Sequence, residues 1–422
     1  MKIKILTVGT RGDVQPFVAL GKGLVNRGHT VTIVSGENFR EFVERNGVGF
    51  EAVRIDYLEL TQSDEGKKML SGNPIEIIKN MKTLIFPMIE RMLEDLWRAS
   101  MDAEVLIYHP KAFGGYDIAE KLGIPVFLAH PIPLISPTKL FANPALPVSF
   151  KLGIFNRMSF KMNRILMGSF FKIINKWRQE TLCLPKKRSF FTNDLKLNGK
   201  DIPVLYGCSP QIIPFDKNWG SNVSMEGFWF LEEEMDWEPS EKLLHFLNAG
   251  QPPIAISFSS MPLKDPEKIW AMLEEALRLT GQRGIFITGW SGMKGRESHS
   301  HILKVDSIPH SWLFPRTAGV IHHGGAGTTA AVLKSGKPML ICPFSADQPF
   351  WARIMQEHGT SATPLKEKDM SAEAFANRIQ ELVSNETMRK KAVELSRIIK
   401  EEKGIQHTIS FLEDKVKKFM QL

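Results

Sequence analysis

The chain has 422 residues, of which 43% are hydrophobic, so it can bury a large core and divide into two or more domains. Its 54 basic and 46 acidic residues give a formal net charge of +8, which favours anionic ligands such as nucleotide phosphates or an anionic lipid surface. Because the sequence contains no recognisable nucleic-acid-binding motif, nucleic acid is not among the expected partners.

The cysteines and the N-terminal residues bear on location. Cys183, Cys208 and Cys342 are odd in number and form no Cys-x-x-Cys pair, which argues against a disulfide framework and predicts a reducing, cytoplasmic location. The first apolar run is soon interrupted by Arg11 and Asp13, so we expect no signal peptide. No apolar stretch reaches the about 20 residues that a transmembrane helix needs.

The first half of the chain alternates between strand and helix patterns. We predict strands over residues 3–8, 31–35, 105–108 and 125–129, with helices over residues 14–26 and 116–122. This strand–helix–strand order predicts a parallel sheet with helices packed on it.

Residues 151–178 combine apolar residues at helical spacing with basic residues and no acidic ones. The apolar set is Phe155, Met158, Met162, Ile165, Ile173 and Trp177, and the basic set is Arg157, Lys161, Arg164, Lys172 and Lys176. A basic amphipathic helix of this kind can lie on an anionic membrane surface. The alternative is a surface helix whose apolar stripe covers an acceptor pocket.

The strand–helix alternation begins again in the second half. We predict strands over residues 253–258, 284–288, 319–322 and 339–342, with helices over residues 265–280 and 328–335. Two such cycles imply two domains. We assign residues 1–215 to an N-terminal acceptor-binding domain, 216–239 to a linker, 240–395 to a C-terminal donor-binding domain, and 396–422 to a helix that crosses back to the first domain.

A glycine-rich segment, IHHGGAGTT from Ile321, follows one of these strands and begins a helix. Glycines let a ligand approach the backbone, and the free N–H groups of a helix start attract an anion. A tight turn would need one glycine, whereas this segment has three after paired histidines. We therefore assign a diphosphate site to His322, Gly324, Gly325, Ala326, Gly327 and Thr328.

Two further segments lie at predicted carboxyl edges of strands, where open α/β sheets bind ligands. Asp347 and Gln348 follow the next strand, and a carboxylate beside an amide suits sugar hydroxyls. Asp13 follows the first strand and has two interpretations. It is either a helix N-cap, worth about 1 kcal/mol, or a catalytic base that faces the cleft between the domains.

Several motifs together indicate a family. They are GTRGDVQPFVALGKGL from Gly9, AEKLGIPVF from Ala119, FSSM from Phe258, PHSWLFPRTAGVIHHGGAGTTAAVLKSGKP from Pro309 and CPFSADQPFWA from Cys342. On these motifs the chain resembles the sterol, macrolide and glycopeptide branch of the UDP-glycosyltransferases, with most similarity to sterol 3β-glucosyltransferases. The resemblance implies the α/β glycosyltransferase-B fold, in which two Rossmann-like domains face a central cleft, and an inverting reaction without a metal.

The resemblance also implies roles for individual residues. His322 and the glycines after it would hold the donor diphosphate together with Ser260, Asp347 and Gln348 would bind the sugar, and Asp13 would be the base. Uridine would lie against Val305, Ser307 and Ile308. Two residues depart from the family pattern, since Ser259 stands where glycine is usual and Asp117 where histidine is common.

We therefore expect an enzyme that transfers glucose from UDP-glucose to a hydroxyl of an apolar acceptor such as a sterol, macrolide, flavonoid or lipid. Apart from the donor substrate it should need no cofactor. A Rossmann dehydrogenase, with Glu37 on a ribose, would need the full glycine fingerprint after the first strand, which the sequence lacks. A UDP-sugar epimerase would need no acceptor pocket, and a non-enzymatic lipid binder would need neither His322 nor the Asp347–Gln348 pair.

Overall fold

The computed structural model describes residues 1–55, 81–168, 170–187, 196–197, 199–232, 237–258, 265–289 and 300–421. Ser260, which the sequence analysis assigned to phosphate binding, lies outside the described residues, as does Ser259.

The strands of the N-terminal half are β1 (Lys2–Leu6), β2 (Thr30–Gly36), β3 (Gly49–Val53), β4 (Val105–Tyr108), β5 (Val126–His130), β6 (Lys196–Leu197), β7 (Lys200–Asp201), β8 (Val204–Tyr206) and β9 (Val223–Met225). They form a seven-stranded sheet whose paired strands all run parallel, in the order β3-β2-β1-β4-β5-β8-β9, and a separate antiparallel pair of β6 and β7. The helices are α1 (Arg11–Asn26), α2 (Arg40–Arg45), α3 (Phe86–Ser100), α4 (Gly115–Leu122), α5 (Gly153–Ser159), α6 (Lys161–Gly168) and α7 (Phe171–Glu180).

The second half forms a five-stranded parallel sheet in the order β12-β11-β10-β13-β14. Its strands are β10 (Ile254–Ser257), β11 (Gly284–Ile287), β12 (Ile302–Val305), β13 (Gly319–His322) and β14 (Met339–Ile341). Its helices are α8 (Glu241–Asn248), α9 (Pro266–Thr280), α10 (His310–Leu313), α11 (Ala326–Ser335), α12 (Gln348–Glu357), α13 (Ala372–Ser384), α14 (Glu386–Glu401) and α15 (Gly404–Met420). Together the two sheets make the α/β, two-domain architecture that the sequence predicted.

Alternating burial explains why the strands form central layers. In β1, Ile3 and Ile5 lie in one apolar cluster, with Phe17 of α1, whereas Leu6 lies in the cluster on the other side. Because neighbouring side chains of a strand point to opposite faces, both faces of the sheet are covered.

The structure corrects the predicted domain limits at two places. Strand β9 lies inside the segment predicted as a linker, yet it pairs with β8 and completes the first sheet. Helix α14 runs through residue 395, where the sequence analysis placed a boundary. Hydrogen bonding to β8 places β9 in the first domain, and this long-range pairing leaves no local sequence signal.

The chain does return to the first domain at its C-terminus. Helix α15 packs against α1 and β9, and its Ile409 and Leu412 are buried in the same cluster as Ile3 and Ile5. The last helix therefore completes the core of the N-terminal domain.

The single amphipathic helix expected over residues 151–178 is three short helices, α5, α6 and α7. The side chains of Phe155 and Met158 in α5 are 47% and 48% exposed, but Ile173 and Trp177 in α7 are buried. The prediction of one amphipathic helix is therefore wrong, and the exposed apolar side chains belong to its first part. Within the described residues, no helix combines the length and the apolar character needed to cross a bilayer.

Candidate active site

In each sheet the strand order reverses beside the strand that comes first in the chain, and polar groups lie at both of these switch points. In the first sheet β1 lies between β2 and β4, and in the second β10 lies between β11 and β13. Loops after adjacent strands then diverge to opposite faces and leave a crevice, which is where open α/β sheets bind ligands. Asp13 follows β1 and Lys111 follows β4, whereas the glycine-rich loop follows β13.

Asp13 is held in one orientation by its neighbours. One carboxylate oxygen, Oδ2, accepts hydrogen bonds from the backbone N–H of Thr10 at 2.8 Å and from the Thr10 hydroxyl at 3.2 Å. Thr10 is the N-cap of α1 and Asp13 is the third helical residue of a capping box. The structure thus corrects the N-cap interpretation of Asp13, because the cap position belongs to Thr10.

Lys111 neutralises the same carboxylate. Its Nζ donates to Oδ1 of Asp13 at 2.7 Å and to Oδ2 at 2.8 Å. Burial alone would raise the pKa of Asp13, but the charge of Lys111, the neighbouring His109 and the hydrogen bonds outweigh it and lower the pKa to about 2. Asp13 is therefore ionised throughout the physiological pH range.

Two stacked histidines lie behind this pair, with ring centroids of His109 and His130 4.7 Å apart. Nδ1 of His109 accepts the backbone N–H of Lys111 at 3.1 Å, and Nδ1 of His130 accepts that of Ile132 at 3.0 Å. Burial lowers the pKa of both rings, that of His130 to about 4. Each neutral ring therefore carries its proton on Nε2 and cannot accept another there, which leaves Asp13 as the proton acceptor of this group.

The glycine-rich loop presents a bare helix start. Gly325 is the N-cap of α11 and offers no side-chain cap, and the first turn carries no acidic residue. Gly327 is exposed, and a Cβ added there would meet nothing within 4 Å. The N–H groups of Ala326, Gly327 and Thr328 have no partner within an α-helix and suit an anion.

His322 ends β13, where the sequence analysis placed it, but its side chain is enclosed. Its side chain is fully buried, its Nδ1 accepts the N–H of Gly324 at 3.1 Å, and its Nε2 lies 3.5 Å from Sδ of Met339. In this structure the ring has no exposed surface and supports the loop, and the direct contact of His322 with the diphosphate stays a prediction.

His323 is the neighbour that the sequence analysis missed. It retains 8% exposure, and its Nδ1 has no hydrogen-bond partner among the described residues. Burial lowers its pKa to about 4, with the Ser257 backbone opposing the shift. Gly325 leaves room for this ring, since a Cβ there would contact its Nε2. The sequence signal was the pairing itself, because the strand ends at His322 and His323 begins the loop.

Asp347 lies at the start of α12, after a strained turn in which Ala346 has a φ of 53°. Its Oδ2 accepts a hydrogen bond from Nε1 of Trp351 at 3.0 Å. Burial raises its pKa to about 6, and the negative charge of Asp13 in the other domain adds to the rise. The charge of Asp13 therefore acts on Asp347 across the domain boundary.

Gln348 has a structural task in the same turn. Its Oε1 accepts the backbone N–H groups of Phe344 at 2.8 Å and Ser345 at 3.1 Å, and the side chain is buried. The amide oxygen of Gln348 thus holds the loop that precedes Asp347, and the binding of sugar hydroxyls by Gln348 stays a prediction.

The residues expected at uridine lie along one loop. Val305 ends β12 and its carbonyl accepts the N–H of Thr288 at 2.9 Å, Ser307 is exposed, and the Ile308 side chain is buried in the core. Asp117, which stands where the family commonly has histidine, is buried in an ionic cluster with Arg178 and Lys187. Among the described residues, no group of three or more His, Cys, Asp or Glu side chains is arranged to hold a metal ion.

The two domains meet along several direct contacts. The Phe141 and Phe350 rings lie 5.7 Å apart, and Nε2 of His358 lies 2.9 Å from the Ile212 carbonyl. Asp13 and Lys111 of the first domain also lie close enough to Asp347 of the second for their charges to act on its pKa. This arrangement defines a two-domain α/β transferase of the glycosyltransferase-B type.

Family comparisons agree with this class. The glycosyltransferase family 28 N-terminal domain matches residues 3–136, and the erythromycin biosynthesis protein CIII-like C-terminal domain matches residues 294–402. Over nearly its whole length the chain is also similar to sterol 3-beta-glucosyltransferases.

Two of these relatives are sterol 3-beta-glucosyltransferases of Arabidopsis thaliana, 34% and 35% identical over 96% of this chain. A third, from Komagataella phaffii, is 33% identical over 97% of this chain. The chain spans 64% and 66% of the length of the plant relatives and 34% of the yeast one.

Solved structures confirm the fold. The glycotransferase of kitacinnamycin superposes with a TM-score of 0.71 at 16% identity, with 98% of each chain covered. Glycosyltransferase VinC in complex with dTDP superposes with a TM-score of 0.64 at 16% identity, covering 99% of this chain and all of that one. At such identity the likeness concerns the fold alone.

Proposed function

We propose that this protein transfers glucose from UDP-glucose to a hydroxyl of a sterol or similarly apolar acceptor, with inversion at the anomeric carbon. The observation that carries the proposal is the pair of carboxylates Asp13 and Asp347, which follow β1 and β14 and interact electrostatically across the domain boundary. Sterol glucosylation is the activity named for the relatives that match 96% of this chain.

The donor would bind to the second domain. The diphosphate would lie on the open N-terminus of α11, with His323 beside it, and uridine would lie along Val305, Ser307 and Ile308. The helix dipole and the free N–H groups would stabilise the negative charge that develops as UDP leaves. Asp347 would accept hydrogen bonds from the sugar hydroxyls, and Gln348 would hold Asp347 in place.

Asp13 would act on the acceptor from the first domain. The acceptor oxygen attacks the anomeric carbon from the face opposite UDP, the bond from that carbon to the UDP oxygen breaks, and the hydroxyl proton passes to Asp13. A carboxylate with a pKa of about 2 is a weak base. Proton transfer must therefore occur late, when the attacking oxygen has already become acidic through bond formation.

Substitution of Asp13 tests the proposal. Asp13→Asn keeps an oxygen that can accept from Thr10 but removes the proton acceptor, so turnover with UDP-glucose and a sterol should fall by roughly 10²–10⁴-fold. Affinity for UDP should stay the same, because the diphosphate site lies on the other domain. The measurements are UDP release, UDP titration and thermal unfolding.

Lys111→Arg is the matched control, since it alters the same ion pair but keeps both the carboxylate and a positive charge. It should retain most of the turnover. If Asp13→Asn keeps more than a tenth of wild-type kcat, Asp13 is not the base. If neither the wild-type protein nor Lys111→Arg releases UDP with any sterol, the proposed acceptor class is wrong.

A further inference from the structure

Exposed apolar side chains are concentrated in one short stretch of the first domain. Eight of the thirteen large apolar side chains that are exposed among the described residues lie between residues 140 and 162. They are Leu140, Val148, Phe150, Leu152, Ile154, Phe155, Met158 and Met162, with Leu152 62% exposed and Ile154 52%. Contiguous apolar exposure of this kind marks an interaction surface, because isolated apolar residues would scatter over the molecule.

The charges of this stretch all have one sign. Lys139, Lys151, Arg157 and Lys161 are exposed, and no acidic residue occurs between residues 121 and 179. None of these four forms an ion pair with a described residue, although other exposed basic residues of the chain, such as Arg40, do. Their charge therefore remains available to an anionic partner.

The stretch is one folded surface. The Phe150 and Phe155 rings lie 6.0 Å apart, and Nδ2 of Asn156 donates to the Lys139 carbonyl at 3.0 Å. These contacts bring residues 139–140 against α5, so that the exposed apolar groups and the basic groups lie on a shared surface. They also hold the surface in place in the absence of a partner.

We propose that residues 139–162, named here the docking surface, bind the chain to the surface of an anionic phospholipid bilayer. Helices α5 and α6 would lie in the plane of the bilayer, with Leu152, Phe155 and Met158 inserted among the acyl chains. The basic groups would contact the lipid phosphates. Apolar insertion and charge attraction together give peripheral binding of this kind.

A lipid surface fits the charge pattern better than a protein partner or a second copy of the chain. A second copy would bring the same positive charges against each other, since a symmetric dimer contacts itself with the same patch.

The docking surface also adjoins the junction of the domains, where Nη1 of Arg353 donates to the Val148 carbonyl at 3.3 Å. Bilayer binding would therefore hold this junction at the membrane surface, beside a cavity of about 380 Å³.

Vesicle sedimentation of the full chain tests the proposal. The wild-type chain should sediment with vesicles of phosphatidylcholine and phosphatidylglycerol (7:3) more than with phosphatidylcholine alone, and high salt should reduce the bound fraction. Lys151→Glu with Arg157→Glu should weaken binding to the anionic vesicles by about tenfold or more. Leu152→Ser with Phe155→Ser should weaken binding to a similar extent.

Matched controls come from exposed residues elsewhere. Lys366→Glu with Lys368→Glu makes the same charge change, and Leu279→Ser, at a side chain that is 50% exposed, removes one apolar group. Both should bind like wild type, and circular dichroism should show all variants folded. The proposal is overturned if the wild-type chain does not bind the vesicles, or if the docking-surface variants bind them as well as the controls do. It is also overturned if the chain binds no vesicles and instead forms a dimer that Phe155→Ser dissociates.

Discussion

Three histidines at strand ends share one local geometry, and it decides what each can do. In His109, His130 and His322 the ring Nδ1 accepts the backbone N–H two residues further along the chain. This interaction places the ring proton on Nε2 and ties the ring to the turn. A histidine at the carboxyl end of a strand therefore supports the loop when its Nδ1 lone pair accepts a backbone N–H. Its Nδ1 is available to a ligand only when that backbone hydrogen bond is not made.

The paired histidines of the glycine-rich loop should consequently respond in opposite ways. His322→Ala leaves the N–H of Gly324 without its acceptor and should lower the free energy of unfolding by about 1–3 kcal/mol. His323→Ala should leave stability nearly unchanged and weaken UDP binding by about 1.5–3 kcal/mol, the value of a hydrogen bond to a charged group. Calorimetric UDP titration and denaturant unfolding of both variants separate the effects. Weaker UDP binding in a fully stable His322→Ala protein would restore the original assignment.

Lys111 sets the protonation of Asp13, so its removal should be visible in the pH profile. The pKa of Asp13 lies at about 2 because Lys111 and His109 outweigh burial, which by itself raises it. Without the Lys111 charge, burial should carry the pKa above its ordinary value of 3.8. Because Asp13 accepts a proton only when ionised, kcat of Lys111→Met should fall as the pH drops through this raised pKa.

The control for Lys111 is again the arginine variant, which keeps the charge. In Lys111→Arg, as in the wild type, kcat should not show this loss between pH 5 and pH 4. Identical acid limbs in Lys111→Met and Lys111→Arg would mean that Lys111 does not control the base.

At the scale of elements, the turn between β1 and α1 depends on a glycine. Gly9 has a φ of 141°, and a Cβ there would collide with the carboxylate of Asp13. Gly9→Ala should therefore displace Asp13 and lower kcat by at least about tenfold, besides a strain cost of about 1–3 kcal/mol. Gly28, with a φ of 86° and nothing within 4 Å of a Cβ, provides the control. Gly28→Ala should lose stability but keep kcat, and equal kcat in the two variants would separate Gly9 from the site.

Local periodicity predicted most of the helices and strands whose limits do not depend on tertiary contacts. Strands β4 and β13 have the limits that alternation and apolar runs indicated, and helix α1 differs only in its first turn. The helix expected over residues 151–178 is instead three short helices, and side-chain contacts tie the second of them to distant segments. Nδ2 of Asn163 donates to the Leu134 carbonyl at 2.6 Å and Nδ2 of Asn143 to Oδ1 of Asn163 at 2.8 Å. Helical spacing carries no record of such contacts.

The sequence predicted which segments form the candidate site, but not which side chains of those segments contact each other. The glycine-rich loop, Asp13 and the segment from Asp347 follow strands whose carboxyl ends could be located from sequence. Lys111 was missed because only the strand order places β4 beside β1, and strand order depends on long-range packing. The burial of His322 was missed because periodicity does not tell which end residues of β13 are closed off by the core.

At the scale of the whole molecule, the last helix joins the end of the chain to its beginning. Ile409 of α15 is 2% exposed and lies against Gly23 of α1, where a Cβ would come within 3.0 Å of its Cδ1. Ile409→Ala should lower the free energy of unfolding by about 2–5 kcal/mol, the usual cost of emptying such a site. Val393→Ala, at a side chain 40% exposed in α14, should have little effect. Equal denaturation midpoints for the two variants would show that α15 adds nothing to the first domain.

The two domains also share an electrostatic arrangement, which separates the pH responses of their carboxylates. Asp347 has a pKa raised to about 6 by burial and by Asp13, whereas that of Asp13 itself is about 2. A raised carboxyl pKa means that Asp347 is charged above pH 6 and becomes neutral as the pH falls through 6, while Asp13 stays ionised. If Asp347 accepts hydrogen bonds from the donor sugar, the KM for UDP-glucose should rise as the pH falls below 6, by up to about tenfold per unit.

In the same range kcat should change less than KM, because Asp13 still accepts the proton. Asp347→Asn cannot titrate, so its KM should be high and nearly independent of pH between 5 and 7. Free UDP lacks the sugar, so its affinity should show no such dependence in either protein. A wild-type KM that stays constant between pH 5 and 7, or a dependence that survives in Asp347→Asn, would place the donor sugar away from Asp347 and break the link between the two carboxylates on which the proposed transfer rests.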